Sequence, residues 1–327
     1  MTSGTNRRQY LRIRSTKWAN LPPMLTAPAP SRSTMPAGST RAALDLEPVT
    51  PTLGARVRGI DLAADLPDEA IGAIGAALVA HKVLFFPGQR LDPDSQIAFA
   101  RRFGELTSSH PVMAPLDDAH PQLWELEGQG GGRSDEWHTD VTFVRRPPLG
   151  SVLRAVRLPA HGGDTLWTDL QAAYDSLSAP VRRLVDELTA LHDGSAEFSG
   201  YLAARGGEGN LWDGERIRSL APVEHPVVRV HPVTGRRGLF VSPAFTTRIV
   251  GVSAAESRGI LDLLFAHLTR PDIQIRHRWS DGDVAFWDNR STAHYATFDY
   301  GDFNRLMHRV TIRGDEPVGP ADPRAAA

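Results

Sequence analysis

The chain has 327 residues, 41% hydrophobic and 23% charged, the balance of a soluble globular protein with a sizeable core. A formal net charge of −2 offers no basic surface to nucleic acid or an anionic membrane, so neither is an expected partner. Cysteine is absent, which excludes disulfides, thiolate metal sites and cysteine nucleophiles and leaves His, Asp and Glu as metal ligands.

Residues 1–45 are rich in Pro, Ser, Thr, Ala and Arg without hydrophobic periodicity and are expected to form a disordered tail. Arg7-Arg8-Gln9-Tyr10-Leu11-Arg12 superficially looks like a twin-arginine export signal. The apolar segment such a signal needs is broken by Arg14, Lys17, Asn20 and several prolines. A plain tail fits better, or a start read too early, with Met24 or Met35 as the first residue. No run approaches the roughly 18 apolar residues of a membrane span, and a cytoplasmic location is expected.

From Leu46 the pattern becomes that of a folded domain, expected over 46–317, with a second disordered tail over 318–327. Residues 46–49 and 55–60 alternate like short strands around Gly54. Pro67-Asp68-Glu69 opens a helix to about Ala80, with Ile71, Ile74, Leu78 and Val79 at helical spacing. Residues 82–86 form a short apolar strand ended by Pro87-Gly88, and 95–103 a second helix ended by Gly104. A loop-rich section over 106–136 follows, its glycines at 128–132 suggesting mobility. Strands are expected over 150–158 and after the Gly162-Gly163 turn. Residues 170–191 read as a helix in two pieces broken around Ala179-Pro180. The polar, Gly-rich insertion over 198–219 has the length of a lid or a disordered loop. A hairpin turns through Thr234-Gly235, a helix covers 256–269, and the last strands lie at 274–279, 284–287 and 306–312. Many short strands with flanking helices predict an all-β core, a double-stranded β-helix or jelly roll of the cupin kind, whose mouth can hold a small ligand.

The chemistry concentrates in Trp137-His138-Thr139-Asp140-Val141-Thr142-Phe143. In a strand, residues two apart share a face, so His138 and Asp140 would present an imidazole and a carboxylate side by side. Chance alone places about one His-x-Asp triplet in a chain of this composition, so the pair decides nothing by itself. Two imidazoles and one carboxylate hold one face of a divalent iron and leave the opposite positions open. The candidate third ligand is His294, far away in Asp288-Asn289-Arg290-Ser291-Thr292-Ala293-His294-Tyr295. In Arg305-Leu306-Met307-His308-Arg309-Val310, alternation puts Arg305, Met307 and Arg309 on one face. Two guanidiniums facing a barrel interior need anions to neutralise them; the alternative is an outward face paired to acids such as Asp299 or Asp302.

Together these segments resemble the TauD/TfdA family of Fe(II)/2-oxoglutarate oxygenases, in its taurine dioxygenase and alkylsulfatase branch, over residues 46–317. The resemblance implies that His138, Asp140 and His294 hold Fe(II) and form the catalytic centre. It implies that Arg305 binds the distal carboxylate of 2-oxoglutarate, aided by the Thr165 hydroxyl. Arg309 and His110, in Ser109-His110-Pro111-Val112, would take the sulfur-bearing anion as convergent cationic donors, between apolar walls of Phe198 and Phe245. With 2-oxoglutarate and O2 as co-substrates, such an enzyme hydroxylates the carbon next to the sulfur group and releases sulfite or sulfate, an aldehyde, succinate and CO2. The family also implies a homo-oligomer, a dimer or tetramer.

One departure bears on the substrate. Where taurine enzymes place groups for the substrate amine, this chain aligns Met113, Arg133 and Ser134, so a cation would find no carboxylate. That favours an alkylsulfonate or alkyl sulfate ester without an amine, with taurine kept open. The rival expectations are the same chemistry on an aryloxyalkanoate or natural-product carboxylate, a zinc hydrolase using the same three ligands, and a catalytically silent jelly-roll anion binder.

Overall fold

The computed structural model describes residues 44–127 and 134–326. The expected N-terminal tail up to residue 43, the glycine run at 128–132 and Arg133 lie outside the described residues.

β1 (Asp45–Pro48) and β2 (Ala55–Arg58) pair antiparallel, with Gly54 at φ +79° entering β2. α1 (Asp68–His81) starts on two acids, where the helix dipole favours negative charge, and buries Ile71, Ile74 and Leu78 along one stripe. β3 (Val83–Phe86) follows and is buried throughout. α2 (Pro93–Arg101) begins at Pro93 rather than the expected Ser95, because Asp92 and Ser95 cap each other's backbone. The section expected as loop over 106–136 contains β4 (Leu123–Glu127).

β5 (Gly150–Arg157) and β6 (Thr165–Asp169) fall where the pattern puts them. The two-piece helix is α3 (Leu170–Asp175) and α4 (Ala179–Val185), but the chain then extends as β7 (Thr189–His192). Pairing on both edges of β7 outweighs its local helical pattern. The insertion is not a bare loop: α5 (Ser195–Ala204) leads to a small hairpin of β8 (Leu211–Trp212) and β9 (Glu215–Arg216). Next come β10 (Val223–Pro226), then β11 (Val228–Val230) and β12 (Arg237–Leu239), the hairpin turning with Gly235 at φ +66°. β13 (Thr246–Ile249), α6 (Ala254–Leu268) behind a Ser253–Glu256 capping box, β14 (Gln274–His277), β15 (Val284–Asp288), β16 (Thr292–Ala296) and β17 (Leu306–Ile312) complete the order.

The large sheet runs β1-β2-β3-β15-β5-β17-β4, and two three-stranded sheets run β14-β6-β16 and β10-β7-β13. Alternation along the large sheet sorts its side chains onto two faces. Leu84, Phe86, Val152, Phe286 and Val310 pack under α1 and α2, while Val83, Phe85, Leu153, Trp287 and Met307 meet Trp167 and Ile275 of the smaller sheet and Trp279 just beyond β14. This second, aromatic-rich layer is the jelly-roll interior, and the chemistry-bearing strands open at its end. Beyond Pro317, Val318 O accepts from Val230 N at 2.8 Å.

A buried ion pair joins the two sheets. Lys82 ends α1 in the left-handed conformation (φ 65°) and is 2% exposed. Its Nζ lies 3.1 Å from Asp169 Oδ2 and donates to Thr52 O at 2.8 Å. The other oxygen of Asp169 caps α3 through Gln171 N and Ala172 N. Replacing Asp169 by Ala strands a buried ammonium and uncaps a helix. Urea unfolding is expected to show a loss of about 3–5 kcal/mol, and an unchanged midpoint would contradict this role.

Candidate active site

His138 and His294 are direct neighbours across an isolated antiparallel bridge, His138 N donating to His294 O at 2.9 Å and His294 N to His138 O at 2.7 Å. The 137–143 stretch is not the strand expected from its pattern. Only His138 bridges; residues 140–143 form a turn, with Val141 at φ +54°. The turn still brings the Asp140 carboxylate back beside His138. Asp140 Oδ1 lies 3.8 Å from His138 Nε2 and 3.7 Å from His294 Nε2, and all three donors fall within 4.8 Å of one another.

A positive φ at a β-branched residue persists only where the surroundings fix it. Asn289 does so from one side, its amide accepting from Asp140 N at 2.9 Å and donating to Asp140 O at 3.1 Å. From the other side, buried His225 Nε2 sits 2.9 Å from Thr142 O and 3.0 Å from Val144 O and donates to both. Asn289 is itself held by its neighbours: Asp288 receives Arg290 at 2.7 Å and His231 at 3.0 Å, and stays ionised against its burial because of them. The Asp288-Asn289-Arg290 segment therefore positions Asp140 as well as leading to His294.

These residues suit a metal. His138 Nδ1 lies 2.8 Å from Glu136 O; it must be the protonated nitrogen, which leaves Nε2 as a bare lone pair. Burial holds both imidazoles below their usual pKa, His294 strongly. Burial pushes the Asp140 carboxyl up, but the Arg309 guanidinium, foremost among its neighbours, overcomes it and its pKa falls to about 2. Two neutral imidazoles and one carboxylate are the protonation states a metal requires. Two imidazoles and a carboxylate converging within 4.8 Å form a donor set that fits Fe(II).

Beside this centre opens a cavity of about 570 Å³ lined by His110, Trp124, Phe143, Phe198, Tyr201, Phe245 and Arg309, among others. Arg309 is buried; its Nη1 donates to Asp140 Oδ1 at 2.7 Å, and Nε has no partner. His110 differs from the expected cationic donor. Its Nδ1 accepts from Val112 N and Met113 N at 3.3 and 3.2 Å, so the proton sits on Nε2. Burial, then Arg309, pushes its pKa well below the usual value, so it is a neutral donor. Phe198 and Phe245 lie with Phe143 in one aromatic group, centroids 5.0–5.2 Å from Phe143.

Carboxylates do reach the cavity, from positions other than Met113, Arg133 and Ser134. Asp135, Glu136, Asp193 and Glu197 line the same cavity. Desolvation, then Glu136 and Asp135, raises the pKa of Glu197. These acids come from the approach to the metal motif and from the start of α5, outside the positions compared in sequence. Met113 instead packs beside Val112 and Phe198.

A smaller pocket is lined by Thr165, Trp287, His294, Arg305, Met307 and Arg309, among others. Arg305, Met307 and Arg309 thus share the inward face, and the outward alternative fails. Arg305 is 7% exposed, donates from Nε to Gly163 O at 3.1 Å and reaches Thr165 Oγ1 at 3.5 Å. Burial lowers its pKa while Tyr300 and Asp164 partly offset that, and among the described residues no carboxylate hydrogen-bonds it. Trp279 Nε1 fixes the Thr165 hydroxyl at 3.0 Å, a role invisible in sequence because Trp279 reads only as a core position.

The insertion is tied to His110. Asn210 Nδ2 donates to His110 O and Met113 O, Asn210 N donates to Pro111 O at 2.8 Å, and Arg205 donates to Val112 O and Asn210 Oδ1. Polar residues of a Gly-rich segment thereby hold the His110 loop against α5, which carries Phe198.

Residues 45–311 match the model of the family described as taurine catabolism dioxygenase TauD, TfdA family. An alpha-ketoglutarate-dependent sulfate ester dioxygenase of Pseudomonas putida is 44% identical over 84% of this chain and 91% of its own. An alkylsulfatase of Acinetobacter baylyi is 38% identical over 84% and 87%. The crystal structure of a taurine dioxygenase from Burkholderia xenovorans superposes with a TM-score of 0.72 at 40% identity, covering 85% of this chain and 93% of that one. With its jelly-roll core, its converging His138, Asp140 and His294, and this similarity over most of its length, the chain belongs to the TauD/TfdA family of Fe(II)- and 2-oxoglutarate-dependent dioxygenases.

Proposed function

We propose that the protein hydroxylates a small organosulfur anion, an alkyl sulfate ester or alkylsulfonate, at the carbon next to the sulfur group. The observation that carries this reading is the pair of anion donors, Arg309 and neutral His110, in an aromatic cavity that also includes the metal ligands His138 and Asp140. Its likeness to relatives named for sulfate esters favours sulfur over other anions.

In this reading His138, Asp140 and His294 hold iron, which with 2-oxoglutarate and O2 supplies the oxidation and leaves succinate and CO2. Arg305 neutralises the distal carboxylate of 2-oxoglutarate, and Thr165, oriented by Trp279, accompanies it. Arg309 offers charged N–H donors to the sulfur-bound oxygens, and His110 Nε2 adds a neutral one. Phe143, Phe198 and Phe245 enclose the alkyl chain and keep water from the reacting carbon. The hydroxylated carbon then bears both a hydroxyl and the sulfate oxygen. As the hydroxyl gives up its proton, the C–O bond to sulfate breaks and an aldehyde remains. By likeness to the family, we place this enzyme in the cytoplasm as a homo-oligomer.

Succinate and sulfate release from hexyl sulfate, with Fe(II), 2-oxoglutarate and O2, tests the reading; succinate with 2-phenoxypropionate but none with hexyl sulfate would replace it by an aryloxyalkanoate reading. His138→Ala is expected to abolish both metal binding, read by calorimetry with Mn(II), and turnover. Arg309→Ala is expected to raise the KM for hexyl sulfate about tenfold or more while changing that for 2-oxoglutarate far less, and Arg305→Ala to do the reverse. The pH dependence follows from His110. A histidinium would lose anion affinity as pH rises through its pKa, whereas a ring already neutral has no charge to lose. The KM for hexyl sulfate is therefore expected to stay level between about pH 6 and 8, and a steep rise across that window would mean that His110 binds as a cation.

A further inference from the structure

We infer that Trp124 is the positioning residue of the anion site: its indole face holds the Arg309 guanidinium in place and backs the His110 ring. The inference rests on the reading that Arg309 and His110 take the substrate anion. Trp124 lies on β4, directly opposite Arg309 of β17 in the antiparallel register, so their side chains leave the sheet side by side. Arg309 Cζ stands 4.4 Å from the centre of the indole ring, within the range in which a cation is attracted to the ring face. The His110 ring centroid is 4.7 Å from the same indole. One side chain therefore touches both proposed donors, and it lines the cavity while only 8% exposed.

Arg309 needs such a support because the protein grips it weakly. Among the described residues its single hydrogen bond runs from Nη1 to Asp140, and its buried Nε has no partner. A guanidinium held by one end can pivot about that bond. A ring stacked on its face removes that freedom and leaves its edge, where the N–H groups lie, for an anion. A branched aliphatic residue, like Leu123 and Leu126 on the same strand, would fill the volume without offering a face to the cation. The sequence gives the position no special weight, since Leu123-Trp124-Glu125-Leu126-Glu127 reads as part of a loop-rich section.

The test compares Fe(II)-loaded wild type with Trp124→Phe, which keeps an aromatic face, and Trp124→Leu, which keeps only bulk. KM and kcat are measured for hexyl sulfate and for 2-oxoglutarate. Trp124→Leu is expected to raise the hexyl sulfate KM about tenfold, and Trp124→Phe about two- to threefold. The KM for 2-oxoglutarate should stay within about twofold of wild type, because Arg305 does not touch this ring. Equal losses in Phe and Leu, a parallel rise in the 2-oxoglutarate KM, or a fall in kcat alone would overturn the inference. Should Trp124→Leu fail to fold, Trp124→Met takes its place in the same ordering. A wild type that turns over 2-phenoxypropionate in place of hexyl sulfate overturns the substrate reading alone, and the same KM ratios on that acid then decide the role of Trp124. A wild type that turns over neither anion overturns both.

Discussion

Two backbone hydrogen bonds between His138 and His294 set the geometry on which the rest of the site depends. They make two proposed metal ligands from distant parts of the chain direct neighbours, with imidazole centroids 4.1 Å apart. Because His294 is also paired to Trp167 within the β14-β6-β16 sheet, the ligands inherit the rigidity of the jelly-roll wall. The donors are brought together by main-chain pairing, so little side-chain freedom is left to lose when a metal binds.

The third proposed ligand is held differently. Asp140 sits at the start of a turn whose next residue, Val141, occupies a region that β-branched residues avoid. Asn289 and His225 grip the peptides on either side, and Asp288 anchors Asn289's neighbour Arg290. Strain of this kind is sustained by surrounding hydrogen bonds. The effect is to turn a carboxylate back onto the face already occupied by His138, which regular strand alternation would have achieved without strain. The turn also places Phe143 in the lining of the large cavity, so the same short segment contributes a proposed metal ligand and an aromatic wall.

Period and punctuation in the sequence were enough for most of the scaffold. The strand carrying Arg305, Met307 and Arg309 faces inward as its alternation requires, and α1, α2 and α6 lie where apolar spacing and caps put them. The failures share a cause. β4 and β7 exist because of their partners, β17 for one and β10 with β13 for the other, and pairing between remote segments leaves little trace in local pattern. Trp124 and Trp279 were hidden for the same reason, since a tryptophan that orients a polar group looks like any core aromatic. The insertion misled through composition: its glycines suggested a loose lid, whereas Arg205 and Asn210 spend their hydrogen bonds on the His110 loop. His110 shows what sequence omits altogether, because a protonation state is decided by which neighbours donate to which nitrogen.

The charges at the centre form a consistent account. Asp140 contributes one negative charge, Arg305 and Arg309 two positive ones, and the buried histidines none. A divalent iron raises the local sum to three positive charges, and the dianion 2-oxoglutarate lowers it to one. A single monoanion in the large cavity then neutralises the site, which suits a sulfate monoester or a sulfonate and disfavours a dianion. Asp135, Glu136, Asp193 and Glu197 also line this cavity; Asp135 and Glu136 are exposed, where water and salt screen them, whereas burial raises the pKa of Glu197. A second anionic group on the substrate would add to the negative charge that these acids already bring to the cavity, whereas a neutral alkyl tail would not.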